Sequence, residues 1–335
     1  MGAIADHLAR RREVLAVLAL VLVLPLVLPA WFASEDLLRL IIGAAIIGAL
    51  AVAFDFTAGY INIINFGFAA FSGTGGYTSA LVAIHLGISP WLSLLFGLLG
   101  AAMLGFFTGL LTLRFRGMYA AVVAWFLALA LMGVVQNLPE ITRGARGLQV
   151  PHLLSSSSNL PYFYLAVALL LFTYLALKLV TESHAGLAFR ALGQNMEAAR
   201  ASGVNPARYR IMNFTLSCGF AGLIGAFSAH YIGILTPNIM DTWHTVEILV
   251  VAYLGGRGTL WGPAVVAFPL ALVTEFLRTN FSEYPGVHLV IYGVLLIVVT
   301  IRYPGGFAEL WRTVHARYRR LRGSPAGEAE RQPAT

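Results

Sequence analysis

Charge is what this sequence has least of. Of its 335 residues only 11% are Asp, Glu, Lys or Arg and 59% are hydrophobic, whereas a soluble domain carries roughly 25% charge. That excludes an ordinary soluble fold and leaves lipid as the solvent for most of the chain. Lysine is nearly absent, with Lys178 alone in an apolar stretch. A P-loop needs a lysine after its glycines to hold the terminal phosphates of a nucleotide, so this chain is not a P-loop ATPase. Cysteine is as scarce: Cys218 stands alone inside an apolar run, which excludes a disulfide framework and a cysteine-based metal site. Neither a metal nor an organic cofactor is expected. The formal net charge of +7 does not point to nucleic acid, because the basic residues sit in short stretches between apolar runs, where membrane proteins keep their cytoplasmic loops.

What is abundant is apolar sequence in pieces long enough to cross a bilayer, which takes about 20 residues as a helix. Such runs lie near 14–33, 37–54, 57–84, 89–113, 117–138, 161–180, 210–234, 245–256, 259–277 and 287–301. They predict an all-α, polytopic bundle of about ten membrane-spanning or re-entrant helices. The first run follows Arg10, Arg11 and Arg12 and resembles a secretory signal, but it is too long and lacks a clean cleavage site, so it reads as the first span. Run 57–84 is crowded with Gly, Asn and Ser, and run 245–256 is short and ends at Gly255-Gly256-Arg257-Gly258. Either is expected to be a broken or re-entrant helix, tolerated where protein or a water-filled cavity covers the freed backbone.

Lysine and arginine set the expected orientation. Ten spans with the N-terminus inside leave only Arg39, Arg143, Arg146 and Arg278 on or near the outer face, where Glu35, Asp36, Glu140, Asp241 and Glu283 cluster. The chain then divides into a cytoplasmic N-terminus at 1–13, a transmembrane domain at 14–301 and a basic cytoplasmic tail at 302–335. Two loops stand out. Leu138 to Pro161 is external, with Ser155 to Ser158 reading as flexible linker; Thr181 to Arg210 is internal, basic and helix-prone.

The internal loop reads Gly193-Gln-Asn-Met-Glu197-Ala198-Ala199-Arg-Ala-Ser-Gly203 and resembles the E-A-A-x-x-x-G loop of ABC importer permeases. Ala198 and Ala199 would give a helix a face without bulk, open to another protein's approach. Gly203 would end that helix and Pro206 would prevent its continuation. From about Ala44 to Phe307 the chain is similar to the LivM-type permeases of the branched-chain amino acid ABC transporter family. Further blocks carry the resemblance: Gly59-Tyr60, Asn65-Phe66-Gly67-Phe68-Ala69-Ala70-Phe71 and Gly76-Tyr77; Arg116-Gly117-Met118-Tyr119 with Thr142, Gly144, Gly147-Leu148 and Pro151; Glu247-Ile-Leu with Gly255-Gly256-Arg-Gly258-Thr-Leu-Trp261-Gly262-Pro263; and Arg302-Tyr-Pro304-Gly305-Gly306. The chain departs from the family at Phe68, where His is frequent, at Leu129 and Met132, where an acidic and a basic residue are common, and at Arg143, which replaces a Gly.

The resemblance implies a permease subunit of an ATP-binding-cassette importer in a bacterial inner membrane, for branched-chain amino acids or a related small polar solute. Its implied partners are cytoplasmic ATP-binding subunits, a second and related permease subunit, and an extracytoplasmic solute-binding protein. Coupling to the ATPase falls on Glu197, Ala198, Ala199 and Gly203. The competing reading is an ion-gradient-driven secondary transporter with Asp55 or Glu247 as the coupling site; it leaves the basic internal loop unexplained. An intramembrane hydrolase using Ser72 and His230 lacks the flanking signature, since Ala70-Phe71-Ser72-Gly73 is not G-x-S-x-G.

Ionisable and amide groups at membrane depth are costly and mark function by default. The translocation path is therefore sought at Asn62, Asn65, Ser72 and Glu247. Asn62 and Asn65, three apart, would share one face if their segment is helical. Two structural alternatives stand beside this: small-residue packing for the Gly- and Ser-rich segment, and pairing of Glu247 with Arg257. Glu275 is expected to pair with Arg278 at helical spacing.

Overall fold

The computed structural model describes residues 34–115, 117–155 and 158–280, with positions 290, 291, 293, 294, 297, 298, 305–307 and 309. The expected first span at 14–33, the flanking stretch 1–13, Arg116, Ser156, Glu283, the side chain of Arg278, most of the last span and nearly all of the tail lie outside these residues.

Eleven helices are described: α1 (Glu35–Ala58), α2 (Phe68–Leu86), α3 (Pro90–Thr112), α4 (Met118–Asn137), the single turn α5 (Pro139–Thr142), α6 (Leu160–Glu182), α7 (His184–Gln194), α8 (Met196–Ala201), α9 (Pro206–Ile232), α10 (Thr242–Gly255) and α11 (Trp261–Asn280). Five of them, α1, α3, α4, α6 and α9, are long and apolar enough to cross a membrane by length and composition. Eight of the ten runs expected from sequence are helical, among the described residues, over most of their length. Local chemistry explains their ends. Prolines sit in the first turn of α3, α6 and α9, where the missing N–H has no partner to lose. Left-handed Gly87 and Gly233 close α2 and α9.

Helices α1 and α9 form the centre. Helix α1 packs against α6, α9, α10 and α11, and α9 against α2 and α3. The α2–α3–α9 contacts are made backbone to backbone. A side chain at Gly75 would fall on the Gly222 backbone, one at Gly225 on the Ser72 carbonyl, and one at Gly97 would stand 2.8 Å from the Gly75 oxygen. Small residues permit this approach, which supplies packing where lipid gives no hydrophobic drive between helices.

The bundle has two distinct ends. At one, strand β1 (Leu148–Gln149) pairs antiparallel with β2 (Ile234–Leu235), and the Glu35 carboxylate accepts hydrogen bonds from Asn159 and Ser158, joining the start of α1 to the start of α6. At the other lie α7 and α8. Two stretches interrupt helix inside the bundle. Residues 59–67 leave helical geometry between α1 and α2, and residues 256–260 turn between α10 and α11 with positive φ at Gly256, Gly258 and Leu260.

Candidate functional site

The expected docking loop is a compact, well-capped unit. Asn195 ends α7 and at the same time begins α8, its Oδ1 accepting from the N–H groups of Glu197 (3.0 Å) and Ala198 (3.1 Å). Helix α8 stops at Gly203, whose φ of +84° favours glycine, while Val204 N–H donates to the Ala199 carbonyl at 3.0 Å. Asn205 then caps α9 through the N–H groups of Ala207 and Arg208. Glu197, Ala198 and Gly203 are exposed. Ala199 is not: it is 5% exposed and turned into its own chain. The expectation of a two-alanine outer face is therefore corrected to Ala198 alone, because a short helix lying on the bundle turns one side toward it, and that side carries Ala199.

Behind this unit lies the first helix break. The Tyr60 carbonyl abuts Gly193, where any side chain would strike it, and the Arg190 guanidinium lies 5.4 Å from the centre of the Tyr60 ring. Phe189 packs edge-on to Phe56 at 5.5 Å and to Tyr209 at 6.0 Å. Next to Tyr60, Gly59 meets the Gly258 backbone so closely that no Cβ fits. Asp55, fully buried, holds the same turn: its two carboxylate oxygens accept from Gly258 N–H (2.7 Å) and Leu260 N–H (3.1 Å). Two orphan donors of an irregular loop are thereby satisfied inside the protein, which is the condition for non-helical backbone at membrane depth. The α7–α8 segment, the start of the 59–67 break and the 256–260 turn thus meet at one end of the bundle.

The four path residues are not brought together. Asn62 and Asn65 share no helical face, since the segment is not helical. Asn62 takes a left-handed conformation (φ 57°) and is exposed. Asn65 is 1% exposed, and its Oδ1 accepts from Gly67 N–H at 3.0 Å at the start of α2. Its amide reaches Cys218 Sγ at 3.9 Å, close to the midpoint of the 27-residue α9, so α2 begins half-way through the bundle. Ser72 is buried in the α2–α9 contact. Together with Thr74 and Thr78, which donate to carbonyls one turn back, it belongs to helix packing rather than a polar lining. Asn65 and Ser72 thus lie buried within the single chain, apart from Asn62 and Glu247.

Glu247 differs. It does not pair with Arg257, which is exposed in the turn held by Asp55 at the far end of α10. Its Oε2 lies 3.6 Å from His244 Nδ1, with side-chain exposures of 32% and 54%. Depth follows from the neighbouring Thr245, whose Oγ1 accepts the Ala69 N–H at 3.0 Å at the half-way start of α2. A polar pair is therefore open on one side of the single chain near mid-thickness, beside α4, where Trp125 Nε1 donates to Thr242 Oγ1 at 2.8 Å. Glu275 is exposed on α11.

Sequence reasoning missed a buried cluster at the end that carries β1 and β2. His230 Nδ1 lies 2.7 Å from the Pro151 carbonyl, and its Nε2 lies 2.9 Å from Ser79 Oγ and 3.0 Å from Ser93 Oγ. His230, Ser79 and Ser93 have no exposed surface, so this group latches the segment after β1, at Pro151, to α2, α3 and α9. Residue 230 was legible only as a helix histidine, because its partners come from three separate segments. Above it, a basin of about 730 Å³ opens at the surface, lined by Gln136, Glu140, Arg143, Arg146 and Gln149 among others. Arg143 occupies a left-handed position (φ 59°). Of the other departures, Phe68 is buried edge-on to Phe54 at 5.4 Å, and Leu129 is 41% exposed.

A bundle of span-length apolar helices, broken inside the protein and carrying a capped surface loop against the breaks, belongs to the class of polytopic membrane permeases. Residues 37–300 match the family described as branched-chain amino acid transport system, permease component, and the chain belongs to that family. It is 26% identical over 291 residues to the high-affinity branched-chain amino acid transport system permease protein LivM of Escherichia coli, covering 78% of this chain and 68% of that one. It is also 31% identical over 208 residues to the autoinducer 2 import system permease protein LsrC of an Enterobacter species, covering 58% of each. No solved structure matches the chain. The protein is a multi-pass membrane permease subunit of an ABC importer for small solutes.

Proposed function

We propose that this subunit conducts a branched-chain amino acid, or a small polar solute of similar size, into the cell along the side where α10 faces α4. The observation that carries the reading is the His244–Glu247 pair, half-open at mid-thickness. Ionisable groups at that depth face protein or a water-filled cavity rather than lipid. A second, related permease subunit covers this side, and the solute passes between the two. ATP is hydrolysed on separate cytoplasmic subunits that dock on Glu197, Ala198 and Gly203; the exposure of these residues and the rigid capping of α8 support that assignment. The end that carries β1 and β2 faces outward, where the basin carrying Arg143 and Arg146 is a suitable approach for an extracytoplasmic solute-binding protein. Both termini are cytoplasmic on this arrangement.

The test is reconstitution with the partner subunits. L-leucine uptake should require ATP and the binding protein, and single cysteines replacing Gln149 and Gln194 in a Cys218→Ala background should react with an impermeant thiol reagent from opposite sides. Labelling of both from one side, or uptake driven by an ion gradient without ATP, overturns the reading.

A further inference from the structure

We infer that Tyr60, Arg190 and Gly193 form a rigid lever that carries movement of the docking loop to both helix breaks, with Asn62 as its hinge. The inference rests on the docking role proposed for α8 and adds how force leaves it. Its first element is stiffness. Asn195 alone separates α7 from α8 and caps both, so no slack residue lies between the docking surface and Gly193. A push on α8 therefore arrives three residues earlier as displacement of α7.

The second element is a contact without compressible side chain. Gly193 meets the Tyr60 carbonyl directly, backbone on backbone. Packed protein transmits such displacement instead of absorbing it. Arg190 over the Tyr60 ring and Phe189 against Phe56 and Tyr209 hold the same junction from the side, so α7 moves the end of α1 and the start of the break together.

From Tyr60 two routes leave. One is the adjacent Gly59, which abuts Gly258; that turn is gripped by Asp55 and ends α10, the helix bearing Glu247. The other is the chain itself, through Asn62 to Asn65 at the start of α2. Asn62 is the non-glycine residue with positive φ in this break. Non-glycine residues with positive φ are uncommon, Asn being among those that adopt it most readily, and such positions recur at switch regions. A modest change in its dihedral angles re-aims the segment without breaking any helix, which is what a hinge requires.

The experiment uses the assembled complex, purified through a tag on this chain, with a spin label on a cysteine replacing Asn62 in the Cys218→Ala background. ATP with vanadate should change the label's mobility in the otherwise unaltered complex. That response should fall at least about fivefold in Gly193→Val, Tyr60→Ala and Arg190→Gln, while Tyr60→Phe keeps it. Association of the ATP-binding subunits should remain normal in all four. A label insensitive to nucleotide in the unaltered complex, or an undiminished response in Gly193→Val and Tyr60→Ala, overturns the lever. Failure of the docking assignment is read separately, as normal ATPase association in Glu197→Arg. Should Gly193→Val not assemble, Tyr60→Ala against Tyr60→Phe decides the matter alone.

Discussion

The two sides of this bundle use polar residues in opposite ways. On the α2–α3–α9 side the chains approach backbone to backbone through Gly75, Gly97, Gly222 and Gly225, and His230, Ser79 and Ser93 satisfy one another with no surface left over. On the α4–α10 side a histidine of the same chemical type, His244, is half-open and pairs with a half-open Glu247. Burial separates the two roles. A closed polar cluster specifies how helices fit, since each unmet partner would cost about 1–3 kcal/mol. An open pair near mid-thickness needs something beyond the chain to cover it.

The sharpest way to break this comparison is to add bulk on each side. Gly75→Leu forces side-chain atoms onto the Gly222 backbone, whereas a Cβ at Gly133 on α4 meets nothing within 4 Å. Overpacking costs about 1–3 kcal/mol even when the neighbours are side chains, and here the obstacle is main chain. Gly75→Leu should lose the monodisperse peak on size exclusion in detergent, and Gly133→Leu should keep it. Equal behaviour would mean that the closed side is not closed.

Next in size is the closed cluster itself. His230→Ala strands the Pro151 carbonyl and removes the ring nitrogen that Ser79 and Ser93 share, while those two hydroxyls still bond each other and Ser93 still donates to the Pro90 carbonyl; the expected loss is about 1–3 kcal/mol, read as a lower Tm of the detergent-solubilised protein. His244→Ala on the open side should leave Tm nearly unchanged, so similar shifts in both would erase the distinction.

Glu247→Ala reverses the readout. Protein level and Tm should hold, but uptake should fall on the order of tenfold, equivalent to about 1.4 kcal/mol. Uptake at the unaltered rate would return Glu247 to the surface charges without a role in transport. The smallest expected effect is at Asn62. Replacing it with Gly frees the left-handed position and should change stability little, whereas Asn62→Ala keeps the steric cost of about 1–2 kcal/mol without the amide, a difference measurable by thermal unfolding.

Much of the fold was legible because helix ends announce themselves locally. Gly203, read as the end of a helix, acts within a few residues of where it stands, whereas Asn195 and Asn205 emerge as the caps of α8 and α9 only in the structure. The loss of helix inside run 57–84 was legible too, from its Gly, Asn and Ser content. The site was less so. Asn62 and Asn65 looked like neighbours on one face, and only the break shows that one is exposed and the other a buried cap. Ser72 looked available until Gly225 was seen across from it.

By itself, then, the sequence determined the solvent and the class of fold, because apolar run length and charge scarcity act through the transfer cost of single groups. Tertiary structure alone decided which polar residues are spent inside: Asp55 on the turn at Gly258 and Leu260, His230 on Pro151, Ser79 and Ser93, and Gly193 against Tyr60. Each of these pairs residues far apart in the chain, and satisfying a buried donor or carbonyl depends on what lies within about 3 Å of it in space, which spacing along the chain does not encode.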